Sequence, residues 1–289
     1  MGKNEQILTV IVQIRLPRIF AAVAVGGGLS IAGAAYQSAF RNPMASPDVL
    51  GASSGAAFGA AAAILCGLGG GGVTFFAFVA GLLTVLLTMA VGKAAKGGVL
   101  TLILTGMMVS SLLSAGLSIL KLAADPGDEL QSITYWLMGS LAGTRLSDLP
   151  GMLIPMAIGI AVLLLFRRQL DLLALGDEEA KSLGAEPGKL RLIVLMAASL
   201  ITAAAIACAG TIGWVGLIVP HLTIRLLGGR RRYLLPGCIL FGGCFLLLAD
   251  NIARTVFPTE LPIGILTAVV GAPFFIGLMT SGAVRGGKE

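Results

Sequence analysis

Nine predominantly apolar stretches, most of them near twenty residues long, constrain this chain more than any other feature. They run over 19–40, 49–68, 73–91, 99–123, 149–166, 190–209, 212–227, 234–256 and 261–279. About twenty such residues are what a helix needs to cross the hydrocarbon core of a bilayer. The runs are continuous rather than alternating, which predicts helices and not a membrane barrel. Hydrophobic residues make up 56% of the chain, charged residues 12%, and the mean hydropathy is +0.96. A soluble domain carries about 25% charged residues and has too little interior to hide this much apolar side chain. The expected fold is therefore all-α, a polytopic transmembrane bundle of nine spans forming a single domain over residues 1–289. Glycine, with 41 residues, suits close helix–helix approach in lipid.

Lysine and arginine set the expected orientation. With the loop after Phe40 placed inside and the sides alternated from there, the inner segments hold fourteen basic residues and the outer ones six. The inner set includes Arg41, Arg167, Arg168, Arg191, Arg225, Arg230, Arg231 and Arg232; the outer set includes Lys3, Arg15, Arg18 and Arg254. This predicts a cytoplasmic C-terminus and an outside N-terminus. The net charge of +6 then reflects membrane asymmetry. No basic stripe interleaved with aromatics is present, so nucleic acid is not an expected partner; membrane lipid is.

The longest inner connection, residues 167–191, reads RRQLDLLALGDEEAKSLGAEPGKLR. Leu172, Leu173, Leu175, Ala180 and Leu183 give it helical apolar positions, an acidic first turn follows Gly176, and Gly184 and Pro187 end it. A short, broken amphipathic helix on the inside reads as a docking element for a soluble partner. The other reading is a helix lying on lipid, which the acidic cluster disfavours at an anionic leaflet.

Catalytic chemistry is missing from the sequence. One histidine, no H-E-x-x-H, no Cys/His cluster and no nucleophile elbow are present, and GAVRGGK at 282–288 lacks the hydroxyl residue and helix of a P-loop. No catalytic residue, metal site or cofactor is expected, and ATP hydrolysis is not expected of this chain. Cys66, Cys208, Cys238 and Cys244 lack metal-ligand spacing and read as small buried hydrophobes.

Several strings resemble a known family. R-L-P-R at 15–18, Gly33, Gln37, R-N-P-M-A-S-P at 41–47, W-L-M-G-S at 136–140 and L-G-D-E-E-A-K-S-L-G at 175–184 come first. G-T-I-G-W-V-G-L-I-V-P-H-L-T-I-R at 210–225, A-D-N-I-A-R at 249–254 and E-L-P-I-G-I-L-T-A-V-V-G-A-P-F-F at 260–275 follow. In this order they resemble the permeases of ABC importers for iron siderophores, haem and vitamin B12. The resemblance implies a permease in a bacterial or archaeal cytoplasmic membrane. Its implied partners are a second permease copy (homodimer or heterodimer), an ATP-binding cassette ATPase and an extracytoplasmic substrate-binding protein. An iron chelate is the expected cargo, with haem or vitamin B12 as alternatives and a secondary transporter as the rival of another class. Family members have ten spans and R-L-P-R opens the second, so either a truncated front or a nine-span variant is implied, with truncation the expectation. The family's G-D-H-R after the P-H motif is here Gly228-Gly229-Arg230-Arg231.

Carried over residue by residue, the resemblance implies that Arg15, Arg18 and Arg254 receive acidic residues of the binding protein. Arg15 and Arg18 are three apart and share a face if the helix has already begun; both also suit anchorage at the headgroups. Gly176, Glu179, Ala180, Ser182, Leu183 and Gly184 form the expected coupling element, with Ala180 and Leu183 seated in an ATPase groove. Asn42, Pro43, Pro220, His221, Asp250, Glu260 and Pro262 mark breaks and motif positions. His221, beside Pro220, reads either as a ligand for cargo iron or as a polar residue at a helix break that satisfies a neighbour's backbone. Asp250 and Arg254 are spaced to pair on one helix. Glu260 fits a cap of the last span or a place at the outer mouth. Trp136 reads as a packing anchor at the outer interface.

Overall fold

The computed structural model describes residues 8, 10–95, 97–256 and 259–280. Expectations resting on Lys3, Lys96, Arg285 and Lys288 lie outside them. The described residues form helices and turns with no strand. A π-helical turn, Val10–Arg15, leads into α1 (Leu16–Phe40). Then come α2 (Ala52–Leu65), α3 (Gly70–Ala94), α4 (Val99–Ala123), α5 (Glu129–Met138) and α6 (Leu149–Leu165). The chain continues through α7 (Arg167–Leu175), α8 (Asp177–Ser182), α9 (Pro187–Ala209) and α10 (Val215–Leu226). After a 3-10 turn, Arg231–Tyr233, α11 (Leu234–Thr255) and α12 (Ile263–Thr280) complete it.

Each of the nine apolar stretches is largely helical, but nine crossings do not follow. Five helical segments are long and apolar enough to span: Val10–Phe40, Gly70–Ala94, Val99–Ala123, Pro187–Ala209 and Arg231–Thr255. A sixth is reached if α6 and α7, bent by 63°, count as one. Ala52–Leu65, Val215–Leu226 and Ile263–Gly277 are shorter. A further helix, α5, ten residues long, stands where the sequence marks only an anchoring segment around Trp136.

The centre of the bundle is α1, which packs on α11, α9 and α10. Small residues make this possible. A methyl group on Gly26 would run into the carbonyl oxygen of Gly242, so α1 and α11 touch backbone to backbone; in lipid such contact supplies the dispersion that holds helices together. The same holds for Gly33 against Gly216 of α10. At the other extreme, α4 buries only Thr105 and Gly106 while exposing Leu100, Met107, Met108, Leu112 and Leu122. The cysteines depart from expectation. Only Cys238 is buried, and Cys66 and Cys244 are exposed, as an apolar thiol can be on a face that needs no water.

Candidate functional site

Two clusters of functional interest lie at opposite ends of α1. Arg18 stands in its first turn, and Arg41 follows its last residue. At 1.5 Å per residue the two ends are about 35 Å apart.

At the first end, Arg18 is 6% exposed and faces two carboxylates brought from the far end of the sequence. Its Nε donates to both oxygens of Asp250 (2.9 and 3.1 Å), its Nη2 lies 2.8 Å from Asp250 Oδ1, and its Nη1 donates to Glu260 (2.9 and 3.1 Å). Asp250 is 1% exposed. Arg254 Nε approaches its other oxygen at 3.5 Å, while Arg254 Nη2 donates to Asn251 Oδ1 at 2.7 Å. Two arginines and two carboxylates thus balance, and the bidentate geometry is the strong form of the interaction.

This changes the reading of the arginines. Arg15 and Arg18 do not share a face: Arg15 is exposed and Arg18 buried. The α-helix starts only at Leu16, and Arg15 closes a π-helical turn, so the three-residue spacing of an α-helix does not apply. The expected Asp250–Arg254 pair exists, but it is the looser contact of Asp250. Glu260 does not cap α12, which begins at Ile263; its carboxylate is taken by Arg18.

Next to this end, three of the motif strings converge. Ser140 N–H donates to Ala209 O (2.8 Å) and Ile263 N–H to Gly139 O (2.9 Å). Gly210, Gly139 and Gly264 meet one another's neighbouring carbonyls with no room for a Cβ. Pro262 is buried at this knot. Beside it opens a cavity of about 660 Å³ lined by Gln131, Tyr135, Trp136, Thr144, Asp148 and Cys208 among others. Trp136 is half-buried on its wall.

The break between α9 and α10 follows directly. Gly210 ends α9 with φ 69°, and Trp214 takes φ 71° before α10, a conformation rare for a bulky residue. Within α10, Pro220 has no N–H to donate, and the Gly216 carbonyl thereby released abuts Gly33. His221 Nδ1 lies 2.8 Å from Leu217 O, to which Gln37 Nε2 also donates (3.4 Å). A carbonyl can only accept, so Nδ1 carries the proton and His221 is engaged with backbone. Among the described residues, no group of three His, Cys, Asp or Glu could hold a metal ion. Asn42 and Pro43 form the turn that ends α1: Arg41 adopts φ 51° and Asn42 Oδ1 accepts from Met44 N–H at 2.9 Å.

At the second end, α7 and α8 meet at Gly176, which takes φ 137°. Ala180 N–H donates to Gly176 O, and Gly184, at φ 81°, stops α8 with its N–H on Lys181 O at 2.9 Å. Ser182 Oγ donates to Glu179 O, and both side chains are exposed. The expected pairing of Ala180 and Leu183 in a partner's groove needs correction. Ala180 is fully buried within its own chain, whereas Leu183 is 62% and Leu175 58% exposed. Bonds among three residues, one to a charge and one to backbone, hold this tip in place. Arg191 donates from Nη2 to Asp177 Oδ1 (2.6 Å) and from Nε to Ala39 O (2.9 Å), tying α8, α9 and the end of α1 together. The Arg191 guanidinium holds the Asp177 carboxyl below its ordinary value. The sequence reading counted Arg191 only as an inside charge; the i, i+14 spacing gave no local sign of the pair.

Known proteins resemble this chain over nearly its whole length. The profile of the FecCD transport family matches residues 1–281. The molybdate import system permease protein MolB of Haemophilus influenzae is 40% identical over 281 residues, covering 97% of this chain and 83% of that one. The cobalamin import system permease protein BtuC of Halobacterium salinarum is 43% identical over 288 residues, covering 98% and 77%. A solved ABC transporter, described as of metal-chelate type and inward-facing, superposes with a TM-score of 0.91 at 39% identity, over 97% of this chain and 90% of that one.

Proposed function

The chain belongs to the FecCD transport family, a family of ABC-importer permeases, and from that premise we propose that it carries an iron chelate across the cytoplasmic membrane. It is a multi-pass membrane permease whose ATP hydrolysis belongs to a separate ATPase subunit. The observation that supports iron is the likeness to a transporter of metal-chelate type over nearly the whole of both chains. Cobalamin is the second reading, favoured by a relative 43% identical.

In this proposal two copies form the pathway, the tip around α8 engages the ATPase on the cytoplasmic side, and the Arg18 end faces the substrate-binding protein. The C-terminus is then cytoplasmic. Leu175 and Leu183 supply apolar surface for the ATPase, while Gly176, Glu179, Ala180, Ser182 and Gly184 shape the tip. Arg15 and Arg254 offer charge to carboxylates of the binding protein, with Arg18 holding the platform beneath them. A secondary transporter would need an intramembrane carboxylate open to a coupling ion. Asp250 is the candidate, and two arginines already compensate it.

The test is uptake by proteoliposomes. With the ATPase and binding protein, ATP should drive uptake of a ferric chelate; with this polypeptide alone, no ATPase activity and no uptake are expected. Transport by the lone chain would end the subunit reading, and uptake of cobalamin with no uptake of ferric chelates would replace iron with the second. Exposed charges at an interface mainly set association rate and its salt dependence. Arg15→Glu should therefore slow binding-protein docking at low salt and leave the assembled complex's basal ATPase rate unchanged. Equal docking kinetics at all salt concentrations would leave Arg15 as a headgroup anchor.

A further inference from the structure

Four arginines that the transport reading does not use gather around one small cavity. Arg167 and Arg168 open α7, and Arg231 and Arg232 form the 3-10 turn before α11. Together with Asp171 and Ser38 they line a space of about 310 Å³ at the same end of the bundle as the α8 tip. Four arginines and one carboxylate thus line one recess, with Arg231 the basic neighbour of Asp171. Among the described residues, none of the four is in an ion pair. Like charges gathered at one recess repel, and an anion seated among them would relieve that repulsion.

The surroundings identify the anion's chemistry. Guanidinium forks match the geometry of phosphate oxygens. Exposed apolar residues stand near each pair of arginines along the chain: Leu165, two before Arg167, is 77% exposed, and Leu240, in the second turn of α11, is 69% exposed. Tyr233 is half exposed, with the Arg232 guanidinium 5.8 Å from its ring centroid, as aromatic residues at the headgroup level are placed. A charged recess opening beside an apolar wall fits a phosphate that carries acyl chains. It fits a soluble protein face less well, because that partner's apolar contact is offered at Leu175, the far end of α7, and at Leu183, just past α8.

We propose that this recess is a seat for the phosphate of an anionic phospholipid, a site of the kind basic pockets between spans form on the cytoplasmic side. The seat grips the first turn of α7, whose last residue joins the tip at Gly176 about 13 Å away. Bound lipid thereby fixes the pose of α7 and of the tip beyond it. Only the side of the membrane rests on the orientation proposed above; binding measured in detergent does not depend on it, so the two can fail separately.

The test is native mass spectrometry of the purified, delipidated full chain titrated with phosphatidylglycerol, phosphatidylcholine of the same chains, and inorganic phosphate. One phosphatidylglycerol should be retained at least about tenfold more strongly than phosphatidylcholine, since each arginine near an anionic surface contributes several-fold. The quadruple variant Arg167→Gln, Arg168→Gln, Arg231→Gln, Arg232→Gln should lose that preference. Arg231→Gln with Arg232→Gln, confined to an exposed turn and so safe for folding, should weaken retention about fivefold on the same reasoning. Equal retention of the two lipids, or retention unchanged in the double variant, overturns the seat. Displacement of phosphatidylglycerol by millimolar inorganic phosphate assigns the recess to free phosphate and overturns the lipid. Loss of ATPase capture by a double variant that keeps its lipid gives the arginines to the ATPase and likewise overturns the proposal.

Discussion

Arg18 and Glu260 touch in one cluster yet should respond differently to substitution. Arg18→Gln leaves Asp250 buried with only the looser Arg254 contact, and removing one partner of a buried pair costs about 3–5 kcal/mol. Glu260 has a side chain 43% exposed, so Glu260→Gln should cost no more than about 1 kcal/mol. Thermal unfolding in detergent separates the two; equal shifts would mean that the cluster is wetter than its geometry implies. Arg18→Gln with Asp250→Asn, which removes both charges, should recover much of the single variant's loss. At this scale the sequence was half legible. Asp250 and Arg254 lie one turn apart, so their pairing could be read from spacing. Arg18 and Asp250 are 232 residues apart, and no local pattern connects them.

The tip formed by α7 and α8 divides its residues into those facing inward and those facing out. Leu183→Asp or Leu175→Asp should weaken capture of the ATPase while leaving permease abundance unchanged. Ala180→Glu should instead lower abundance, because a charge is forced into a fully buried site. If Ala180→Glu is well tolerated and Leu183→Asp binds normally, the contact lies elsewhere. The Asp177–Arg191 pair gives a pH prediction. Arg191 holds the Asp177 carboxyl below its ordinary value, so the pair's contribution is present at neutral pH and is lost only as acid protonates the folded carboxylate below the usual range. Proteolytic cleavage of the 176–187 connection should stay slow and constant from about pH 8 to pH 5. In Asp177→Asn it should be faster throughout; a wild-type rise between those values would put the pair out of action there. Gly176 and Gly184 were readable as the break and stop of a short helix because backbone geometry leaves a glycine signature. The inward turn of Ala180 was not, since an alanine suits either face of a helix.

For the whole molecule, hydropathy revealed the bundle because the bilayer demands length and apolarity from each crossing. It could not count crossings, since three of the helices are shorter than a full span. It was also silent on which helix sits at the centre. The ranking of α1 as most enclosed and α4 as most exposed comes from packing, and α4 is about as apolar as α1. If α4 lines contact with a second copy, a cysteine placed at Leu112 (73% exposed) should crosslink between copies in membranes, while one at Leu165 should not. Crosslinking at Leu165 alone would move the contact to the other side of the bundle.

The backbone contact of Gly26 with Gly242 constrains how this permease can move and how it can drift. Two shafts pressed together without a side chain between them have no lubricant layer, so α1 and α11 turn as one piece and any rocking is left to looser neighbours. The same absence of clearance makes a methyl group, ordinarily the mildest mutation a genome can try, one of the harshest here. A library that replaces each residue by alanine would find its least tolerant positions in the middle of the membrane, far from either cluster of charges.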